Sequence, residues 1–176
     1  MKRSSTVLCF AMVALISACQ ARPLSHSPAT LGFEAALQLA ISARQACARQ
    51  GFAVAVSVVD RQAQPLVLLV SDDAFGHSRQ TSERKARTAA SRRAPTAAIA
   101  SANDHEQSLS LAFHTIGLTT LSGGVPVVLD NQVIGAVGVA GAPGQNALGQ
   151  DFDSLCAEAG IKAIGAQWTV NAETAQ

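Results

Sequence analysis

Two aliphatic runs, Val125 to Leu129 and Val133 to Val139, are separated only by Asp130-Asn131-Gln132. Both runs are rich in β-branched residues, and Asp and Asn tolerate positive φ, so a tight antiparallel hairpin is the least costly way to join them. Any fold open to this chain must therefore contain an antiparallel sheet. Upstream, Phe52 to Val59 and Leu66 to Val70 repeat the pattern around Asp60-Arg61-Gln62-Ala63-Gln64-Pro65, a second hairpin connection. Leu118 to Leu121, ahead of Ser122-Gly123-Gly124, reads as one more strand.

Helical periodicity fills the gaps. Thr30, as an N-cap, precedes Phe33, Ala36, Leu37, Ala40, Ile41, Ala43 and Cys47, an apolar stripe that predicts one long helix ending near Gly51. After the loop Ser71 to His77, a basic helix is expected over Ser78 to Arg92, and Pro95 separates it from a short alanine-rich helix reaching about Ala102. A terminal helix is expected over Gln150 to Ala166, offering Phe152, Leu155, Cys156, Ala159 and Ile164 for burial. The resulting order, α-β-β-α-α-β-β-β-α, predicts an α/β (α+β) sandwich: an antiparallel five-stranded sheet with the N- and C-terminal helices packed on it.

The first residues read as an address. Lys2 and Arg3 are followed by a mostly apolar run from Val7 to Ile16 and by Ile16-Ser17-Ala18-Cys19, the form of a lipoprotein-processing box. On this reading residues 1–18 are a signal peptide and Cys19 becomes the lipidated N-terminus; the alternative is an ordinary secretory signal cut after a small residue such as Ala21. Gln20, where an inner-membrane retention signal would place Asp, directs the expectation to the periplasmic face of the outer membrane in a Gram-negative host. A soluble periplasmic or secreted protein is the alternative. Residues 19–29 form a polar tether, 30–170 one domain and 171–176 a tail.

Loss of Lys2 and Arg3 with the leader leaves 11 basic side chains against 12 acidic, a formal net charge of −1. Together with the scarcity of aromatics and the absence of Tyr, this gives no support to nucleic-acid binding. Of the four cysteines, Cys9 leaves with the leader and Cys19 is assigned to lipid. Cys47 and Cys156 remain on helices among alanines, where a buried free thiol behaves as a small apolar residue; that is the first expectation, with a bridge between them as the alternative. Nucleophile-elbow, zinc-protease, phosphate-loop and Rossmann motifs are absent, as is any C-x-x-C-H for covalent haem attachment.

Lys85-Ala86-Arg87-Thr88-Ala89-Ala90, Gly123-Gly124-Val125-Pro126 and the glycine-spaced run Gly135 to Gly141 together resemble the GlcG/HbpS-like family of haem-binding proteins. The resemblance implies a profilin-like fold, first and last helices in contact, symmetric homo-oligomers and a non-covalent haem site. It would present Thr88 to the iron, with Lys85 and Arg92, at minus three and plus four, pairing with the propionates. His77, whose loop leads into the same helix, is the competing ligand; His26, His105 and His114 rank behind it. The residues also admit plainer roles: Thr88 can return a hydrogen bond to the carbonyl of Arg84, and Lys85 and Arg92 can form a solvated face balanced by Asp72, Asp73 and Glu83. Two classes of function follow. One is an exported haem-binding protein that sequesters, transfers or senses haem, with a sensor or transport partner; the other is an enzyme or accessory of glycolate, haem-degradation or corrinoid metabolism. Without a visible flavin or nicotinamide motif, binding is preferred.

Overall fold

The computed structural model describes residues 27–103 and 107–168, without the side chains of 100–109. Cys19, the signal segment, most of the tether, His26, His105 and the tail from 171 lie outside the described residues. The elements are α1 (Phe33–Ala48), β1 (Ala55–Asp60), β2 (Pro65–Val70), α2 (Ser78–Arg92), α3 (Thr96–Asn103), α4 (Gln107–Thr115), β3 (Gly124–Leu129), β4 (Gln132–Ala140) and α5 (Phe152–Ala163).

Four strands pair in the order β2-β1-β4-β3, every neighbour antiparallel. The β3–β4 hairpin turns at Asp130 and Asn131, both at positive φ (48° and 60°), as their short polar side chains allow. The β1–β2 connection is organised by Asp60, whose Oδ1 accepts from the backbone N–H groups of Gln62 and Gln64, each at 2.8 Å. Period-two alternation then divides the sheet. Val54, Val56, Val58, Val125, Val127, Val137 and Val139 face the α1–α5 layer, whereas Val59 and Ala136 pack with Ala86, Ala89 and Ala90 of α2 on the other side.

Alanine sets the spacing of the first layer. The buried stripe of α1 is Ala36, Leu39, Ala40, Ala43, Ala46 and Cys47, and a Cβ on Gly160 of α5 would stand 2.7 Å from Leu39 O. The two helices therefore pack backbone to backbone, close enough for Cys47 and Cys156, with Cα atoms 5.5 Å apart, to form a disulfide. The free-thiol expectation is thus overturned, because packing through small side chains brings the two sulfurs within bonding reach.

Three other expectations change. The sheet has four strands, not five: Leu118–Leu121 is irregular, because the N–H of Thr119 is taken by the hydroxyl of Thr88 rather than by a neighbouring strand. Helix α4 (Gln107–Thr115) is an element that the expected order does not contain. Thr30 is not the cap of α1, which starts at Phe33 behind Gly32 with no side-chain cap; the Thr30 hydroxyl instead accepts from the Arg61 N–H at 3.5 Å. Among the described residues no helix is long and apolar enough to cross a membrane.

Candidate functional site

Helix α2 lies on the sheet through glycines. A Cβ at Gly138 would collide with Ser82 O and the Ala86 N–H, and one at Gly124 would collide with Lys85 O. The glycine spacing of β3 and β4 is therefore a berth for the α2 backbone. Seated this deeply, α2 sends Lys85 across the sheet, where its Nζ donates to Val139 O at 2.8 Å and to Asp153 Oδ2 at 2.7 Å. Both side chains are largely buried, 5% and 13% exposed. Asp153 Oδ1 accepts from the Ala142 N–H at 2.9 Å, and Asp151, the N-cap of α5, accepts from Ser154 N. Gly123, at φ 102°, leaves room for this junction, since a Cβ there would lie 2.6 Å from Asp153 Cβ and 2.9 Å from Lys85 Nζ.

Burial pushes the Asp153 carboxyl above its usual range and Asp151 adds repulsion, while Lys85 and the Ala142 N–H pull the other way without cancelling the burial. Glu158 is raised for the same reasons, burial first and Asp151 second.

A cavity of about 280 Å³ opens beside the ion pair, lined by Phe75, His77, Thr81, Lys85, Leu121 and Asp153 and by Ala140 to Pro143. An adjoining depression of about 500 Å³ shares Lys85, Leu121, Asp153, Ala142 and Pro143, so Lys85 and Asp153 sit at the meeting of two open spaces. His77 ends the loop into α2 and is exposed; its carbonyl accepts from both the N–H and the hydroxyl of Thr81. The imidazole stacks on Phe75, centroids 5.8 Å apart and planes 9° apart, and makes no hydrogen bond among the described residues. Phe75 and Leu121 are more than half exposed, at 56% and 54%. An imidazole, two bare apolar surfaces and a cation thus converge on one mouth. No cluster of three or more His, Cys, Asp or Glu able to hold a bare metal ion occurs among the described residues.

The expected site residues are distributed unevenly. His77 and Lys85 line the same cavity. Thr88 is fully buried: its hydroxyl donates to Arg84 O at 2.7 Å and accepts from Thr119 N at 2.9 Å, so its partners are backbone groups. Arg92 lies toward the far end of α2, its guanidinium carbon 5.7 Å from the centroid of the Phe113 ring, and does not line the cavity. His114 is exposed on α4. Sequence reasoning missed Asp153 and Phe75. Asp153 is 68 residues from Lys85 and no local pattern joins them, whereas Phe75, an aromatic in a polar loop two residues before a histidine, was a readable signal.

Helices on both faces of an antiparallel sheet, with a mixed apolar and ionic cleft at the start of the helix bearing K-A-x-T-A-A, define the class as an α+β domain built on the features of the GlcG/HbpS pattern. The chain belongs to the HbpS-like family, described as haem degrading protein HbpS-like, which matches residues 31–162. It is 39% identical over 93 residues to protein GlcG of Escherichia coli (strain K12), covering 52% of this chain and 67% of that protein. A crystal structure of a Streptomyces reticuli HbpS double mutant is similar at 34% identity and a TM-score of 0.69, covering 81% of this chain and 92% of that one. The PduOC:haem complex shares the fold at 23% identity and a TM-score of 0.70, over 79% of this chain and 98% of that one.

Proposed function

We propose that this chain is an exported haem-binding protein that holds haem non-covalently for sequestration, transfer or sensing. The observation that carries the reading is the unpartnered His77 imidazole stacked on Phe75 at the mouth of the Lys85 cavity. Histidine is a strong axial ligand for haem iron, Phe75 and Leu121 offer apolar surface to a porphyrin, and Lys85 keeps one of its three ammonium protons beyond its two hydrogen bonds for a carboxylate. The haem-binding PduOC relative and the family description support the ligand class. On this geometry His77 ranks above Thr88 as the iron ligand and Lys85 above Arg92 as the propionate partner, the reverse of the sequence-based order for the iron.

Haemin titration of the purified protein, followed in the Soret band with cobalamin as competitor, tests the reading. His77→Ala is expected to shift the band or weaken binding more than Thr88→Val. Equal spectra for both variants and the parent would place haem elsewhere, and preferential displacement by cobalamin would move the ligand to a corrinoid. The family description also favours a second reading, haem breakdown. Steady loss of the Soret band in the presence of reductant and oxygen would select it.

Export rests on the order of basic, apolar and small residues ending at Cys19, with a lipid anchor to the membrane through that cysteine. The Cys47–Cys156 bridge supports it, because disulfides persist in oxidising compartments. Mass spectrometry of membrane-extracted protein should find a lipid adduct on Cys19; an unmodified N-terminus elsewhere would remove the anchor. Assembly into a homo-oligomer belongs to the same reading. It is supported by the exposed Phe75, Leu111, Ile116 and Leu121 and checked by light scattering.

A further inference from the structure

Charge is divided sharply along this chain. Of the 11 basic side chains that remain beyond the leader, six fall on α2 and its C-cap: Arg79, Arg84, Lys85, Arg87, Arg92 and Arg93. Glu83 is the only acid on the same stretch, so the rest of the chain beyond the leader carries five basic side chains against eleven acidic. Lys85 is buried on Asp153, whereas the arginines stand on the outside, Arg84 half-buried and the other four exposed. None of them forms an ion pair among the described residues. Asp72 and Asp73, expected to balance this face, line a depression with Arg44 and Ala48 of α1 instead.

Packing explains why the arginines are presented together. Ala86, Ala89 and Ala90, the apolar residues of α2, are all buried against the sheet, which leaves Arg79, Gln80, Glu83, Arg84, Arg87 and Ser91 as the outward face. A protein partner would need an apolar centre to bury there, and a nucleic acid would be gripped with aromatic side chains as well as charge; this face offers neither. A layer of lipid headgroups requires only charge, and the planar guanidinium matches a phosphate through its fork of donors. The path of the chain points to the same partner. Thr30, where the domain begins, accepts a hydrogen bond from the Arg61 N–H at 3.5 Å, and Ala63 to Pro65 of that same hairpin border Glu83 and Arg87 around a shared depression. The tether therefore enters beside the arginine face. From Cys19 to Thr30 the chain reaches at most about 40 Å, so on the export reading, on which this step rests, an anchor at Cys19 keeps that side of the domain near the membrane.

We infer that the arginine face of α2 docks on an anionic phospholipid surface, with Arg79, Arg84 and Arg87 against the headgroup phosphates and Arg92 and Arg93 at the end of the helix. The lipid on Cys19 retains the protein at the membrane, and the arginines orient it there.

The test is co-sedimentation of the full chain carrying Cys19→Ser, which accepts no lipid, with vesicles of phosphatidylglycerol and phosphatidylcholine and with vesicles of phosphatidylcholine alone. Binding to the anionic vesicles is expected to exceed binding to the zwitterionic ones by at least about tenfold, and to fall steeply as added salt shortens the Debye length below about 10 Å. Arg79→Gln combined with Arg87→Gln should weaken it by about tenfold or more. Arg44→Gln combined with Arg49→Gln, an equal change of charge on the α1 side of the sheet, should leave it within about twofold. Equal losses for the two pairs would show that net charge alone is read, and equal binding to both kinds of vesicle would show that lipid charge is not read at all. Capture of poly-L-glutamate without vesicle binding would assign the face to an acidic polypeptide. Each of these results overturns the proposal. Haemin titration of the Arg79, Arg87 variant should match the parent, and no lipid is attached to the tested chain, so failure here is distinct from failure of the haem or the export reading.

Discussion

Lys85 is the residue on which sequence pattern, packing and chemistry meet. Its charge is buried against Asp153, and removing one member of such a pair leaves the other uncompensated. Lys85→Met is expected to cost about 3 kcal/mol or more at neutral pH. The pH dependence follows from the raised folded-state pKa of Asp153. Its contribution to stability is fully present below the unfolded value near 3.8 and is lost as pH rises through the higher folded value. Without Lys85, the largest opposing influence disappears, the folded value moves further up and the loss extends to higher pH. Urea midpoints of parent and variant should therefore converge in acid and separate toward neutrality, with the Glu158 contribution cancelling in the difference. Parallel curves would show that the pair does not control the titration. Thr88→Val belongs to the same scale: the N–H of Thr119 loses its acceptor, and about 1 kcal/mol of stability should go with it in a thermal or urea melt. A haemin affinity that drops while stability is untouched would return Thr88 to the ligand.

Among the elements, α2 and its glycine berth explain why K-A-x-T-A-A and the glycine-spaced strand occur together. Small side chains on the helix and glycines, which have none, on the strands bring the backbones together. Gly138→Ala forces a Cβ into Ser82 O and the Ala86 N–H, so α2 must lift from the sheet, at about 1–3 kcal/mol. Gly76→Ala, where an added Cβ meets nothing within 4 Å, should stay within about 0.5 kcal/mol. Equal urea midpoints for the two variants would remove the berth. The same elements measure what the sequence made legible. Both hairpins and the span of α2 followed from β-branched runs, turn chemistry and helical periodicity, all local signals. The strand expected at Leu118–Leu121 failed because a helix hydroxyl captured the backbone group a strand would have paired, a partner 31 positions away. Lys85 and Thr88 were recognised as special, but their partners Asp153 and Thr119 come from packing distant segments, which periodicity does not encode. The basic face was matched with Asp72, Asp73 and Glu83, yet the acid that meets Lys85 comes from α5.

At the scale of the molecule, the disulfide unites the first and last helices of the described domain on the sheet face opposite α2. It spans a separation of 109 residues, and closing so long a loop restricts the unfolded chain strongly. Replacing Cys47 and Cys156 by Ala is expected to cost about 2–5 kcal/mol, read as a lowered melting temperature. An unchanged melting temperature would mean that α1 and α5 hold together without it. Because the bridge joins the element that opens the fold to the one that closes it, both hairpins, α2 and both cavities lie on the stretch of chain between its two anchors. A single protease cut anywhere on that stretch yields two pieces still covalently linked, migrating as one molecule on a non-reducing gel and as two once thiol is added. Damage between the two anchors therefore need not shed a fragment, and a nicked chain in an oxidising compartment keeps its first and last helices together.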